Sequence, residues 1–156
     1  MTVSVRQLLP DDWRTLRDMR LAALLDAPYA FASSYELTLK RSEQEWRTWP
    51  ARGVVFGAFV SGEPVGMVGA TPVVSDPETV HLIAMWVAPG VRGTGVADNL
   101  IDSVVEWAEG RGSRSVSLEV ATGNDRAAAV YLRNGFTYSN EPPSIPDTVT
   151  MRRSLS

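Results

Sequence analysis

The chain has 156 residues, no cysteine and a single histidine, with 44% apolar and 21% charged residues and a net charge of −3. That length reads as a single domain over residues 1–156, able to bury about two-thirds of its unfolded surface. Without cysteine there is no disulfide, thiolate zinc site or cysteine acyl-enzyme, one histidine cannot build a histidine metal cluster, and the acidic balance lacks the footprint of a nucleic-acid binder.

Val3-Ser4-Val5-Arg6-Gln7-Leu8 alternates and predicts a first strand. The start, Met1 to Trp13, carries no basic n-region followed by an apolar h-region, so no signal peptide is read and a cytoplasmic protein is expected. Pro10-Asp11-Asp12 opens a helix with proline and two acids in its first turn, running to about Leu25. Residues Ala27 to Lys40 are irregular and place Tyr29, Phe31 and Tyr35 in a loop or short helix. Ser42-Glu43-Gln44-Glu45 is a capping box, and the helix it starts carries Trp46 and Trp49 and stops near Pro50.

Val54 to Val60 and Val65 to Val74 form an apolar hairpin, and a turn at Ser75–Glu78 leads into a strand from Thr79 to Val87. The longest apolar stretch, Leu82 to Pro89, is too short to span a bilayer, so no membrane partner is expected. Ala97, Leu100, Ile101, Val104, Val105 and Ala108 recur at helical spacing, with Asp98, Asp102, Glu106 and Glu109 facing away, until Gly110 and Gly112 end the helix. Val116, Leu118 and Val120 mark one face of a strand. Asn124 caps a helix that stops at Gly135, and Phe136–Ser139 and Thr148–Leu155 close the chain as strands. His81 reads as a surface or hydrogen-bonded residue rather than a catalyst.

The junction Arg92-Gly93-Thr94-Gly95-Val96-Ala97 carries the most chemistry. A strand, a glycine-rich turn and a helix start gather unpaired N–H groups and the positive end of a helix dipole, which suits a phosphate or pyrophosphate. Gly90 and Gly95 have P-loop spacing, but Val96-Ala97 stands where Lys-Ser/Thr is needed. Gly93-x-Gly95 begins a dinucleotide fingerprint, but Asp98 occupies the third glycine position. A plain glycine turn joining strand to helix also fits this segment by itself. A second block, Asn124 to Phe136, narrows the choice.

Together the two segments resemble the GNAT family of N-acetyltransferases. Its pyrophosphate motif, Arg/Gln-x-x-Gly-x-Gly/Ala, is met by Arg92, Gly95 and Ala97. Its second motif, Asn-x-x-Ala-x-x-x-Tyr-x-x-x-Gly-Phe, is met by Asn124, Ala127, Tyr131, Gly135 and Phe136, and Met85-Trp86-Val87-Ala88-Pro89 looks like the family's lead-in. The resemblance implies an α/β (α+β) fold, with a mixed, mostly antiparallel twisted sheet of about seven strands flanked by about four helices. It also implies binding of acetyl-CoA, or another short acyl-CoA, and acetyl transfer to a primary amine, on a small molecule or a peptide N-terminus. The protein would be a monomer or homodimer. A catalytically silent acyl-CoA sensor or interaction domain is the alternative.

With no cysteine and no Gly-x-Ser-x-Gly elbow, direct attack on the thioester in a ternary complex is the simplest route. The N–H groups of Gly93, Thr94, Gly95, Val96 and Ala97 would hold the pyrophosphate, and Arg92 would add charge. By the resemblance the backbone of Met85, Trp86 and Val87 lies along the pantetheine, with the Val87 N–H facing the thioester carbonyl. Asn124, Ala127 and Tyr131 share one helical face. The resemblance makes the Tyr131 phenol the acid for the leaving thiolate; its plain alternative is a packed tyrosine, and that of Asn124 a helix cap. Glu119, in Leu118-Glu119-Val120, resembles the base of the ribosomal-protein N-terminal alanine acetyltransferases, or is a solvated glutamate on a polar strand face. Glu36 and Glu45 are rival bases. Tyr29, Phe31, Tyr35 and Trp49 fall where the family lines its acceptor cleft, which implies an apolar or aromatic acceptor; the plain alternative for them is core.

Overall fold

The computed structural model describes residues 2–26 and 34–155. Seven strands form one sheet in the order β1-β2-β3-β4-β5-β7-β6. These are β1 (Val3–Gln7), β2 (Val54–Val60), β3 (Glu63–Val73), β4 (Asp76–Val87), β5 (Ser115–Ala121), β6 (Thr137–Tyr138) and β7 (Thr148–Ser154). Every neighbouring pair is antiparallel except β4 and β5. The turn between β2 and β3 is only Ser61-Gly62, both at positive φ, the two-residue geometry that matches strand twist. A turn at Val74-Ser75 lets β4 begin at Asp76, three residues earlier than expected.

Helices cover both faces. On one lies α4 (Val96–Gly110), whose apolar positions Val96, Leu100, Ile101, Val104, Val105 and Ala108 are all buried. They pack on Val54, Ala58, Val68, Ala70, Val80, Leu82, Val116 and Leu118 of the central strands. The approach is close at Gly66, where a Cβ would stand 3.2 Å from Leu100 Cδ1 and 3.3 Å from Val96 Cγ1. Tyr131 of α5 (Asp125–Arg133) and Phe136 complete this layer. The other face is covered by α1 (Trp13–Asp26) and α3 (Glu43–Thr48), which bury Leu16, Met19, Ala23 and Trp46 against Val55, Met67 and Trp86.

The caps follow their local chemistry. Ser42 accepts from the Glu45 N–H at 3.2 Å and Glu45 reaches back to the Ser42 N–H at 3.3 Å. Asn124 accepts from the Ala127 N–H at 3.3 Å, and Gly135, at φ 88°, ends α5 in the left-handed conformation. The segment read as irregular contains a short α2 (Tyr35–Leu39), capped by Ser34, so five α-helices are described instead of four. Pro10–Asp12 forms a separate 3-10 turn before α1.

Candidate functional site: a cleft where two strands part

The parallel pairing of β4 with β5 runs only from Thr79–Ser115 to His81–Ser117. Past His81 the strands part, and Ala84, at φ 57°, marks a bulge that shifts β4 against β3. The Ala88 N–H donates to the Val65 carbonyl at 2.8 Å. Strand alternation therefore turns the peptide groups of Met85 and Val87 away from β3, toward the side where β5 has withdrawn. A strand edge with its own donors and acceptors thus opens into a cleft of about 960 Å³.

One end of the cleft is the turn before α4. Gly93 and Gly95 have φ of 79° and 91°, which only glycine adopts at little cost. Gly95 is the N-cap of α4 and supplies no side-chain bond, so the first N–H groups of the helix stay open at its positive end. A Cβ at Gly93 or Gly95 would meet no protein atom within 4 Å, so the space above the turn is open to a ligand. Open donors, a positive helix end and missing side chains fit a pyrophosphate.

The other helix lining the cleft is α5. Asn124, Ala127, Val130 and Tyr131 line the cleft, with Arg126 and Arg133 beside them. Tyr131 is 7% exposed and packs edge-on against Phe136 at 5.7 Å between ring centroids. Burial holds its phenol well above the usual tyrosine range, so it keeps its proton at every working pH. Asp98, expected to face away, lines the cleft and accepts from Arg133 at 2.9 Å and Asn134 Nδ2 at 2.8 Å, tying α4 to α5. These bonds, that from Asn134 foremost, lower its pKa.

The expected residues Met85, Trp86, Val87, Arg92, Gly93 and Gly95 line this cleft, as do Val96 and Ala97. Thr94 sits in the turn with its hydroxyl donated to the Val91 carbonyl. Arg92 differs from its expected pose. Its Nε donates to the Val87 carbonyl at 3.0 Å and its Nη2 to Asp26, so the guanidinium braces the cleft. Asp26, the last residue of α1, also accepts from Trp86 Nε1 at 3.0 Å. That bond first, and the Arg92 contacts after it, outweigh burial and hold the Asp26 carboxyl below its usual value.

Glu119 lies outside the cleft lining. Its side chain is 7% exposed and accepts from the Ser144 N–H (2.8 Å), Ser144 Oγ (2.6 Å), Ile145 N–H (2.9 Å) and Thr148 Oγ1 (3.0 Å). Burial pushes its pKa up, but the bonds from Ser144, Ile145 and Thr148 prevail and lower it. A carboxylate this fully engaged anchors the 144–148 loop and is a poor proton acceptor. His81 Nδ1 is hydrogen-bonded to Ser117 Oγ at 2.9 Å, with Nε2 at 3.8 Å from Glu119. Tyr35 is half-buried in α2 and lines neither cavity; Tyr29 and Phe31 lie outside the described residues.

Sequence reading missed Asp26, Arg126 and Arg133. Asp26 has no local motif, since its partners are 60 and 66 residues away. The two arginines stand inside the Asn124–Phe136 block, and their helical spacing from Val130 (four and three residues) was the available signal.

Residues 11–136 match the family described as Acetyltransferase (GNAT) family. The chain belongs to that family. A curated relative, an uncharacterized N-acetyltransferase of Methanocaldococcus jannaschii, is 28% identical over 142 residues, covering 86% of this chain and 61% of its own length. The chain spans less than two-thirds of the curated relatives it matches. A GNAT acetyltransferase structure from Streptococcus pneumoniae superposes with a TM-score of 0.82 at 17% identity, over 99% of this chain and 100% of the other. A putative acetyltransferase of Salmonella typhimurium, solved with its cofactor acetyl-CoA, gives 0.82 at 17%, over 100% and 95%. At such identities the likeness establishes the GNAT fold.

Proposed function

We propose that this GNAT domain transfers an acetyl group from acetyl-CoA, or another short acyl group from its CoA thioester, to a primary amine by direct attack in a ternary complex. The carrying observation is convergence: the glycine turn, the parted edge of β4 and Tyr131 border one cleft. When bound, acetyl-CoA supplies an activated acyl carbon, to which the amine nitrogen bonds as the C–S bond breaks and the thiol leaves with one proton.

The chain's residues take these parts. The N–H groups from Gly93 to Ala97 hold the pyrophosphate, with Arg126 and Arg133 adding positive charge at the same wall. The peptide groups of Met85 and Val87 order the pantetheine arm, and the Val87 N–H polarises the acyl carbonyl. Arg92 works indirectly, keeping Val87, Asp26 and α1 in register. Tyr131 donates the proton to the sulfur as the C–S bond breaks and regains one from the nitrogen that has attacked; burial keeps its phenol protonated until then. Asn124 caps α5 and offers its side-chain amide to the cofactor arm.

An alkyl amine of pKa about 10 must lose a proton before attack. Glu119 is committed to the 144–148 loop. Glu45, one of the rival bases, lines a second cavity with Ala84, where β4 bulges; its capping bonds to Ser42 occupy one carboxylate oxygen, Oε1, and we assign the proton to the other. CoA release measured with a panel of amines tests the whole reading. Release that depends on an amine supports it; acetyl-CoA binding with no release from any amine marks a silent sensor.

A further inference from the structure

The second cavity, of about 320 Å³, lies on the face covered by α1 and α3. Its wall holds Arg20, Arg41, Arg52, Glu45 and Trp49, and its floor is Ile83 and Ala84 of β4. Arg20 and Arg41 crowd one indole, their guanidinium carbons 5.8 and 6.0 Å from the centre of the Trp49 ring. Arg20 is 8% exposed; burial first, and the Arg41 charge second, bring its pKa down to about 10, still cationic at neutral pH. Among the described residues, the ion pairs leave out Arg41 and Arg52. Three guanidinium groups and one carboxylate therefore face a small, partly buried space in a chain whose net charge is −3.

We propose that this cavity receives the carboxylate of the acceptor, so that the acceptor is a small amine bearing an acid group, as an amino acid does; this rests on the acetyl-transfer reading. Crowded like charges are unfavourable alone and become favourable around an anion, and the guanidinium fork matches a carboxylate in two parallel hydrogen bonds. The volume falls at the small end for ligand sites, of roughly 300 Å³ and more. Position agrees as well. Arg20 and Asp26 are six residues apart on α1, about 9 Å along its axis. Ala84 and Val87 are three residues apart on β4, about 10 Å. Along both elements, the cavity and the end of the cleft at Val87 lie about 10 Å apart, a span that an amino acid together with an arginine side chain covers. A polycationic amine would meet repulsion here.

The test uses matched acceptors: amino acids, their carboxamides and the corresponding decarboxylated amines, with CoA release as readout. The acids should exceed the carboxamides in kcat/KM by ~10-fold or more, a factor that one buried charged pair supplies. Arg41 is half-buried in the connection between α2 and α3, so its replacement leaves the core intact. Arg41→Gln should raise KM for the acids ~10-fold with kcat little changed, and should shrink the preference for acid over carboxamide; Arg41→Lys should restore part of it. Equal use of acid and carboxamide, preference for the decarboxylated amine, or an unchanged preference in Arg41→Gln overturns the proposal. A separate arm does not need turnover: calorimetry of N-acetyl amino acids against the protein with CoA. Binding that Arg41→Gln weakens upholds the anion site even where no amine releases CoA and acetyl transfer itself fails; no binding of any of these carboxylates overturns it.

Discussion

Replacing Glu119 with glutamine separates a loop anchor from a general base. The carboxylate takes four hydrogen bonds from residues 144–148 at 2.6 to 3.0 Å. Glutamine keeps one carbonyl oxygen for the Ser144 N–H, the Ile145 N–H and Thr148 Oγ1, while its NH₂ faces a Ser144 hydroxyl that can turn to accept. The main loss is charge assistance, at least ~0.5 kcal/mol for each of the bonds retained, so about 1.5–3 kcal/mol in all. For a domain of this size that lowers Tm by about 4–10 °C. The pH dependence has a definite sign. Because the folded-state pKa lies below the usual glutamate value of 4.5, the stabilisation is present above that pH and fades as pH falls through the folded value. Wild type and variant should therefore differ most above pH 5 and converge in acid, as followed by thermal melts from pH 3 to 8. Steady-state assays on the folded variant should give kcat/KM within a few-fold of wild type, with the same acidic limb. A variant of wild-type Tm whose kcat/KM loss shrinks at high pH would refute this and return the base to Glu119.

Tyr131→Phe should lower kcat by ~10²-fold with acetyl-CoA affinity nearly unchanged, because the ring packing on Phe136 survives and only the donor goes; wild-type turnover would remove the acid. In wild type, the raised phenol pKa means kcat should show no falling limb from Tyr131 up to about pH 10, checked by a pH–rate profile. Gly95→Val forces φ near 91° on a branched residue and fills the space above the turn, so calorimetry should show acetyl-CoA binding at least ~10-fold weaker, with ~1–2 kcal/mol of stability lost. Asn124→Ala removes the cap to the Ala127 N–H and should cost ~1 kcal/mol in denaturant melts while raising KM for acetyl-CoA several-fold; an unchanged KM would leave Asn124 as a cap alone.

Features written in short-range chemistry were legible. The period of Leu100, Ile101, Val104, Val105 and Ala108 announced the buried face of α4, and Asn124 and Gly135 marked both ends of α5. The glycine turn and the Tyr131 helix were identified from motifs, and both border the cleft. What stayed hidden was set by distant partners. Polar alternation put Glu119 opposite Leu118 and Val120, but no local pattern told that a loop 25 residues on would close over it. Asp98 looked like one more solvated acid of α4 until Arg133 and Asn134 were found on it. Arg92 matched the pyrophosphate motif by type, yet a carboxylate 66 residues earlier holds its guanidinium.

The bulge at Ala84 joins these observations. An unbroken β4 would continue its ladder beside β5 and bury its peptide groups in hydrogen bonds, leaving no edge for a ligand. Parting the strands after His81 leaves those groups to be satisfied elsewhere, and Val87 shows how: its carbonyl takes Arg92 Nε, which Asp26 steadies. The same parting makes β4 a thin wall, with Met85 and Val87 bordering the larger cleft and Ile83 and Ala84 the arginine-lined cavity. Two reactants brought from opposite faces of a sheet can then meet at one stretch of strand without sharing a binding site. The direct attack proposed above would use such an arrangement, since positioning lowers a barrier without a nucleophile of the protein's own.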